Sequence, residues 1–256
     1  MLSEMRIVKV WLALCSGLML LAGCWRQERV CEVVDSVVED MVGEEVRLPE
    51  MVQYTDMEQR LLEFGLVDVQ ALDPTIRVHL VYATEENFVG RVLYKDMQRA
   101  LLLPALAEKV VAAQAALRKV RPDLSLVVLD AARPLSVQYE MFHIVAGTPQ
   151  NRYVANPKHG AGMHNYGAAV DVTLADTLGI WLPMGSEFDH FGQESHTDNE
   201  DFLLASGKIS LQELENRRLL RHVMRQQGLL TLNSEWWHFY LMPTAKARRS
   251  LKVIDL

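Results

Sequence analysis

His159-Gly160-Ala161-Gly162-Met163-His164-Asn165-Tyr166-Gly167-Ala168-Ala169-Val170-Asp171-Val172-Thr173-Leu174 carries both a fold signal and a chemical one. From Ala168 onward the residues alternate, so a strand here puts Val170, Val172 and Leu174 on one face and Ala169, Asp171 and Thr173 on the other. Asp171 therefore points away from the apolar set. His164 precedes Gly167, where the chain is free to turn, so imidazole and carboxylate converge despite an odd separation that one flat strand forbids.

A second stretch, Glu235-Trp236-Trp237-His238-Phe239, lies near the chain's end. In a regular strand Glu235 and His238 face opposite sides, so a shared site requires a bend or bulge at Glu235. Catalytic zinc sites combine three N or O ligands with an open position, and bound water there has a pKa near about 7. His164, Asp171 and His238 form such a set for one Zn2+, and Glu235 supplies the base. Asp130-Ala131-Ala132-Arg133-Pro134 follows the apolar run that ends at Leu129, which places Arg133 at a strand mouth, suited to an oxyanion.

The remaining histidines compete with this choice. His159 is an alternative ligand, but its flanking glycines point to a loop over the site. His79 sits in a strand-like run, and His143 and His222 sit in helical ones, where packing or surface roles are the ordinary reading. Trp236 and Trp237 read equally as core aromatics.

Working outward, Leu66 to Leu72 and Ile76 to Tyr82 read as two short strands separated by Asp73-Pro74. Asp96 is a candidate cap for a helix to about Val120, with Leu102, Ala105, Leu106, Val110, Ala113 and Leu117 on one face. Leu124 to Leu129 reads as a buried strand and Leu135 to Ala146 as a helix. Ser210-Leu211-Gln212-Glu213 has the form of a capping box, opening a helix that closes at Gly228. Strands and helices without a repeated βαβ unit predict an α+β architecture.

The chain has 256 residues, half of them hydrophobic, enough for one sizeable core. Its net charge of -7 argues against nucleic acid as a partner. All three cysteines, Cys15, Cys24 and Cys31, crowd the amino end, so no disulfide framework staples the body. Arg6 and Lys9 precede an apolar run from Val10 to Ala22 that has the length of a signal-peptide core. The run ends in Leu21-Ala22-Gly23-Cys24, which resembles the lipobox of bacterial lipoproteins, where the chain is cut before the cysteine and the cysteine is acylated. The expectation is a signal peptide at 1–23, a lipid on Cys24, an acidic tether at 24–61 and a catalytic domain at 62–256 outside the cytoplasm. Trp25 in place of an aspartate after the cysteine directs the expectation to an outer membrane where the cell has one.

From about Leu66 to Phe239 the chain resembles the D-alanyl-D-alanine dipeptidases of vancomycin resistance and cell-wall dipeptide use, a branch of the zinc D-Ala-D-Ala peptidases. The resemblance runs through Tyr82-Ala83-Thr84, Asn87-Phe88-Val89-Gly90-Arg91-Val92-Leu93-Tyr94, Arg133-Pro134 and the His164 to Asp171 stretch. It continues through Met184-Gly185-Ser186-Glu187-Phe188-Asp189, Ser195-His196, Asn216-Arg217-Arg218-Leu219-Leu220 and Glu235 to Phe239, in that order.

The resemblance implies that His164, Asp171 and His238 bind zinc, Glu235 is general base and acid, and Arg133 stabilises the transition state. It also implies a free dipeptide held in a small closed cavity, with Asp189 either the ammonium partner or a turn-capping carboxylate. The fold expected is a single zinc-peptidase domain with a central, mostly antiparallel sheet flanked by helices. Two positions depart from the family pattern. Gly162 stands where a serine helps hold substrate, and Ala131-Ala132 stand where Gly-Tyr is common, a change expected to widen the cavity. Two other functions remain open on the sequence: a carboxypeptidase or endopeptidase acting on peptidoglycan stems, and a non-catalytic lipoprotein that binds wall fragments.

Overall fold

The alternating run around Asp171 forms a fully buried strand in the middle of a sheet. The computed structural model describes residues 52–256, so the signal segment, Cys24 and most of the expected tether lie outside the described residues. In chain order the elements are α1 (Asp56–Glu63), β1 (Val67–Asp68), α2 (Val69–Leu72), β2 (Arg77–Val78), β3 (Leu101–Leu102) and α3 (Pro104–Val120). Then come β4 (Ser125–Asp130), α4 (Leu135–Val145), β5 (Ala169–Ala175), α5 (Glu200–Ala205), α6 (Leu211–Gln226), β6 (Leu230–Leu232), β7 (Glu235–Tyr240) and α7 (Thr244–Ser250).

The main sheet has the strand order β2-β4-β5-β7-β6. β2 runs parallel to β4, and the other neighbours pair antiparallel. β1 and β3 form a separate two-stranded ladder. The architecture is α+β with one mostly antiparallel central sheet, as expected from the sequence. Val170, Val172 and Leu174 join one core cluster with Leu106, Val110 and Leu117 of α3 and Leu220 and Val223 of α6. Each of those leucines is fully buried, worth roughly 1.5–3 kcal/mol apiece against exposure. Asp171 thereby faces the other side of the sheet.

Two expected strands are mostly something else. Leu66 to Leu72 is strand only at Val67–Asp68, because the Asp68 side chain accepts the Gln70 N–H at 2.9 Å and caps α2. Ile76 to Tyr82 is strand only at Arg77–Val78, then tightens into a 3-10 turn over Val81–Ala83. The long helix starts at Pro104, not at Asp96: proline suits the first helical position, and Leu101–Leu102 are taken by the ladder with Val67–Asp68. The α6 capping box forms as expected, with Ser210 and Glu213 bonded reciprocally.

The folded body reaches back to Gln53, and α1 begins inside the stretch read as tether and runs two residues past its end. Its Leu61 is fully buried. Its buried Glu58 accepts N–H groups of Gln98 and Arg99 at 2.8 and 3.0 Å, tying the helix to the body. No helix among the described residues is long and apolar enough to cross a membrane.

Candidate active site

Three neighbouring strands present their polar residues in one row. Asp171 on β5 pairs with Asp130 on β4 and with His238 on β7. The first pairing depends on a bulge: Val128 opposes Val172, but Asp130 opposes Asp171, so Leu129 is the extra residue. Without it Asp130 would align with Val170 and point into the core. The bend required at Glu235 is present too. Thr231 pairs with Phe239 but the next residue, Leu232, pairs with Glu235, so β7 gains extra residues there. Glu235 Oε2 comes within 4.0 Å of His238 Nδ1.

His164 arrives from a 3-10 turn, Met163–Tyr166, closed by Gly167 at φ +64. A Cβ on Gly167 would sit 2.8 Å from Leu66 Cδ2, so both conformation and space select glycine. His164 Nε2 lies 3.3 Å from Asp171 Oδ2 and 3.2 Å from His238 Nδ1, which is itself 2.8 Å from Asp171 Oδ1. The other ring nitrogen, Nδ1, is 2.7 Å from the Ala131 carbonyl oxygen. A carbonyl only accepts, so Nδ1 carries the proton and Nε2 turns a lone pair inward.

Among the described residues, His164, Asp171 and His238 form a group whose ligand atoms all lie within 4.8 Å of one another. Two imidazole nitrogens and a carboxylate turned on one point hold more lone pairs than protons, which suits a cation. Burial pushes Asp171 up, but His164 and His238 outweigh it and hold the carboxyl well below the usual range. Burial pulls His164 down, and Asp171 and Asp130 more than reverse the shift.

Arg133 is held on two sides. Its Nη2 donates to Asp130 Oδ2 and its Nη1 donates to Gln138 Oε1 at 2.8 Å. Its Nε–H is buried without a partner. The guanidinium lies 5.1 Å from the centre of the Tyr82 ring. The backbone around it is clamped to the His164 turn, since Arg133 N–H donates to the His164 carbonyl and Asn165 Nδ2 donates to the Arg133 carbonyl.

Asp189 closes the far end. It is the one non-glycine with positive φ among the described residues, at +59, and it accepts the Tyr82 hydroxyl at 2.8 Å. Such a conformation costs on the order of 1–3 kcal/mol and is typical of ligand-holding positions. Burial pushes its carboxyl up to about 8, against the Tyr82 hydrogen bond. Burial also pushes Glu235 up to about 7, with His238 opposing and Asp171 and Asp189 reinforcing.

Tyr82, Arg133, Gln138, His164, Asp171, Asp189, Glu235 and His238 all line one cavity of about 250 Å3, with Asp130 and Asn165 behind them. That lies below the roughly 300–1,000 Å3 of ordinary small-molecule sites. His159 does not line it, nor do His79, His143 and His222. Both tryptophans are core, and Trp237 also touches the cavity. Ala131 and Ala132 do not line it: both belong to the core cluster, and Ala131 contributes its carbonyl to His164. Gly162 does line the cavity, and its N–H is already taken by Asn165 Oδ1 at 2.8 Å.

The chain matches peptidase family M15, D-ala-D-ala dipeptidase, over residues 62–255. The chain belongs to this family. Its relatives include the D-alanyl-D-alanine dipeptidase of Escherichia coli K12, 33% identical over 184 residues that cover 70% of this chain and 86% of the relative. The D-alanyl-D-alanine dipeptidase of Enterococcus faecium is 29% identical over 202 residues, covering 70% of this chain and 93% of the relative. One from Enterococcus faecalis is 28% identical over 199 residues, covering 71% and 93%. Membership makes the protein a hydrolase of a metallopeptidase family, and His164, Asp171 and His238 are a possible metal site.

Sequence reasoning missed several residues that build this dipeptidase-family site. Gln138 and Asn165 orient Arg133, and Tyr94 donates to Asp130 at 2.6 Å. Phe88, Tyr153 and Phe191 line the cavity from three different loops. Gln138 lies five residues beyond Arg133, in the first turns of α4, a placing too common to stand out. Asn165, next to His164, was the one open to suspicion.

Proposed function

We propose that this chain is a zinc metallopeptidase that hydrolyses free D-alanyl-D-alanine to two D-alanine, with one Zn2+ held by His164, Asp171 and His238. The observation that carries the reading is the cavity itself: a three-donor cation site, the Arg133 guanidinium, the Glu235 carboxyl and the Asp189 carboxyl share about 250 Å3. The donor set of two imidazoles and a carboxylate fits zinc, which takes N and O ligands. When bound there, zinc supplies Lewis acidity and brings the pKa of water toward about 7.

The chain's own residues account for binding, orientation and proton transfer. Asp189 and the Tyr82 hydroxyl receive the substrate ammonium, whose charge favours the ionised carboxyl that burial alone disfavours. Glu235 accepts a proton from the water whose oxygen bonds to the peptide carbonyl carbon. Its carboxyl, at about 7, suits both acceptance and return of that proton. Arg133, fixed by Asp130 and Gln138 and lining the cavity, supplies the positive charge that stabilises the developing oxyanion. When the C–N bond breaks, Glu235 returns the proton to the leaving amine, and both products depart as D-alanine.

The small volume supports a dipeptide over an attached stem, and the intact donor set with Glu235 beside it argues against a retired scaffold. We further propose that the chain is cut before Cys24, lipidated there and held outside the cytoplasm on a membrane, at the outer membrane where the cell has one. The Leu21-Ala22-Gly23-Cys24 sequence and the preceding apolar run support this. More than one acyl chain gives a stable anchor, at about 0.8 kcal/mol per buried methylene. Membrane retention of Cys24→Ala equal to wild type would refute the anchor.

The deciding experiment measures D-alanine release by the purified full-length chain from free D-Ala-D-Ala and from a stem pentapeptide, with zinc added or chelated. Zinc-dependent cleavage confined to the dipeptide is expected; cleavage confined to the stem would overturn the substrate assignment.

A further inference from the structure

Four aromatic rings run in an unbroken series along the end of the cavity where Asp189 sits. The Tyr82 hydroxyl donates to Asp189 at 2.8 Å, and the Tyr82 ring meets Phe88 edge-on at 6.2 Å. Phe88 meets Phe191 edge-on at 5.0 Å, and Phe191 stacks on Tyr153 at 5.0 Å with an interplanar angle of 19°. All four rings line the cavity. Phe191 follows Asp189 by two residues, whereas Phe88 and Tyr153 come from two other loops, so the series bridges three segments of chain.

We infer that the Phe191–Tyr153 stack, braced by Phe88, is the specificity element that stops peptides extended at their amino end. The inference rests on the dipeptidase reading, which places the substrate ammonium at Asp189. A longer peptide has an amide in place of that ammonium, and its chain must continue past Asp189 into the volume the stacked rings occupy. The barrier is a contact between loops rather than a buried piece of core: Tyr153 and Phe191 are both half-buried and belong to no regular element. Removing one ring therefore opens the end of the cavity and leaves the row of strand residues beneath it in place.

The test compares kcat/KM of the full-length chain on free D-Ala-D-Ala, on diacetyl-L-Lys-D-Ala-D-Ala and on D-alanyl-D-alaninamide. The last is altered at the carboxyl end alone. Tyr153→Ala and, separately, Phe191→Ala are expected to raise the tripeptide-to-dipeptide ratio at least tenfold, while the amide-to-dipeptide ratio stays at the wild-type value. An unchanged tripeptide ratio in both variants, with thermal unfolding like wild type, overturns the inference and leaves the dipeptidase reading standing. A rise in both ratios together also overturns it, since that reports a loosened site rather than an opened end. If truncation unfolds either chain, Tyr153→Ser and Phe191→Leu carry the same comparison. A wild-type chain that cleaves the tripeptide and not the free dipeptide refutes the dipeptidase reading itself, and the inference with it.

Discussion

His238 faces Asp171 directly across the β5–β7 ladder, and its Nδ1 stands 2.8 Å from Asp171 Oδ1. The two are held by backbone pairing, so truncating either removes a donor without moving the other. His238→Ala is expected to lose tight zinc binding, read as metal content after dialysis. Wild type should gain thermal stability as zinc is added, by RT ln(1 + [L]/Kd), and the variant should not. A zinc-dependent rise of equal size in His238→Ala would remove this residue from the metal site.

Glu235 enters from the irregular start of β7 and lies outside the three-donor group, as the proposed proton carrier should. Glu235→Ala should lower kcat roughly 10²–10⁴-fold with zinc content retained. Near-normal turnover would place the base elsewhere.

Asp189 gives a pH signature in the metal-free protein. Its folded carboxyl is raised to about 8 and that of Glu235 to about 7, both above the unfolded values near about 4. A raised carboxyl binds its proton more tightly in the native state, so its contribution is present at low pH and lost as pH climbs through the folded value. Stability in chelator should therefore fall between about pH 4 and 8. Asp171 carries the opposite sign but acts below this window, because its carboxyl is depressed. Asp189→Asn should flatten the upper part of the fall in denaturant unfolding. Losing a charge-assisted contact worth about 1.5–3 kcal/mol should also lower kcat/KM for the dipeptide roughly 10–100-fold. An unchanged slope and an unchanged kcat/KM would leave Asp189 a turn residue.

Gln138 joins Arg133 to the loop above it, accepting from Nη1 at 2.8 Å and donating to the Ala155 carbonyl at 2.9 Å. Gln138→Met leaves the Arg133 Nη1 donor without its acceptor, at a cost of about 1–3 kcal/mol, while the exposed Ala155 residue can turn its carbonyl to water. It should depress kcat more than KM, since both ends of the amide are already engaged by Arg133 and the Ala155 carbonyl. Gln138→Glu restores an acceptor for Arg133 and should recover part of kcat; equal loss in both variants would indicate a role in packing alone.

Gly167→Ala tests the turn that delivers His164. At φ +64, with Leu66 Cδ2 2.8 Å from the new methyl, the substitution should cost at least 1–2 kcal/mol by strain alone and lower zinc retention. Wild-type stability would show that the turn relaxes freely.

The chemistry was far more legible in the sequence than the scaffold around it. Alternation at Val170, Val172 and Leu174 set the facing of Asp171, and the parity of Glu235 and His238 demanded a bend that the β6–β7 register contains. Apolar content misled at Leu66 to Leu72, where the decisive signal was a single polar residue: Asp68 bonds the Gln70 N–H and turns a strand into a helix. Asp96 looked like a cap because the ladder that claims Leu101–Leu102 is a contact with distant Val67–Asp68. Gln138 and Tyr153 were unreadable for the same reason, and Asn165 stood out only as the neighbour of His164. Their roles exist only after the segments near 133, 155, 165 and 191 have met, and a local pattern records none of those meetings.

The row Asp130, Asp171, His238 has a consequence for how such a protein changes over time. Spacing within the row is the distance between paired strands, set by backbone hydrogen bonds, so it cannot be tuned in small steps. A substitution there either preserves the chemistry or abolishes it. The rings and loops above the row answer to no such lattice and are free to drift one residue at a time. Diversification of substrate on this scaffold should therefore proceed through its roof, while the floor is inherited whole.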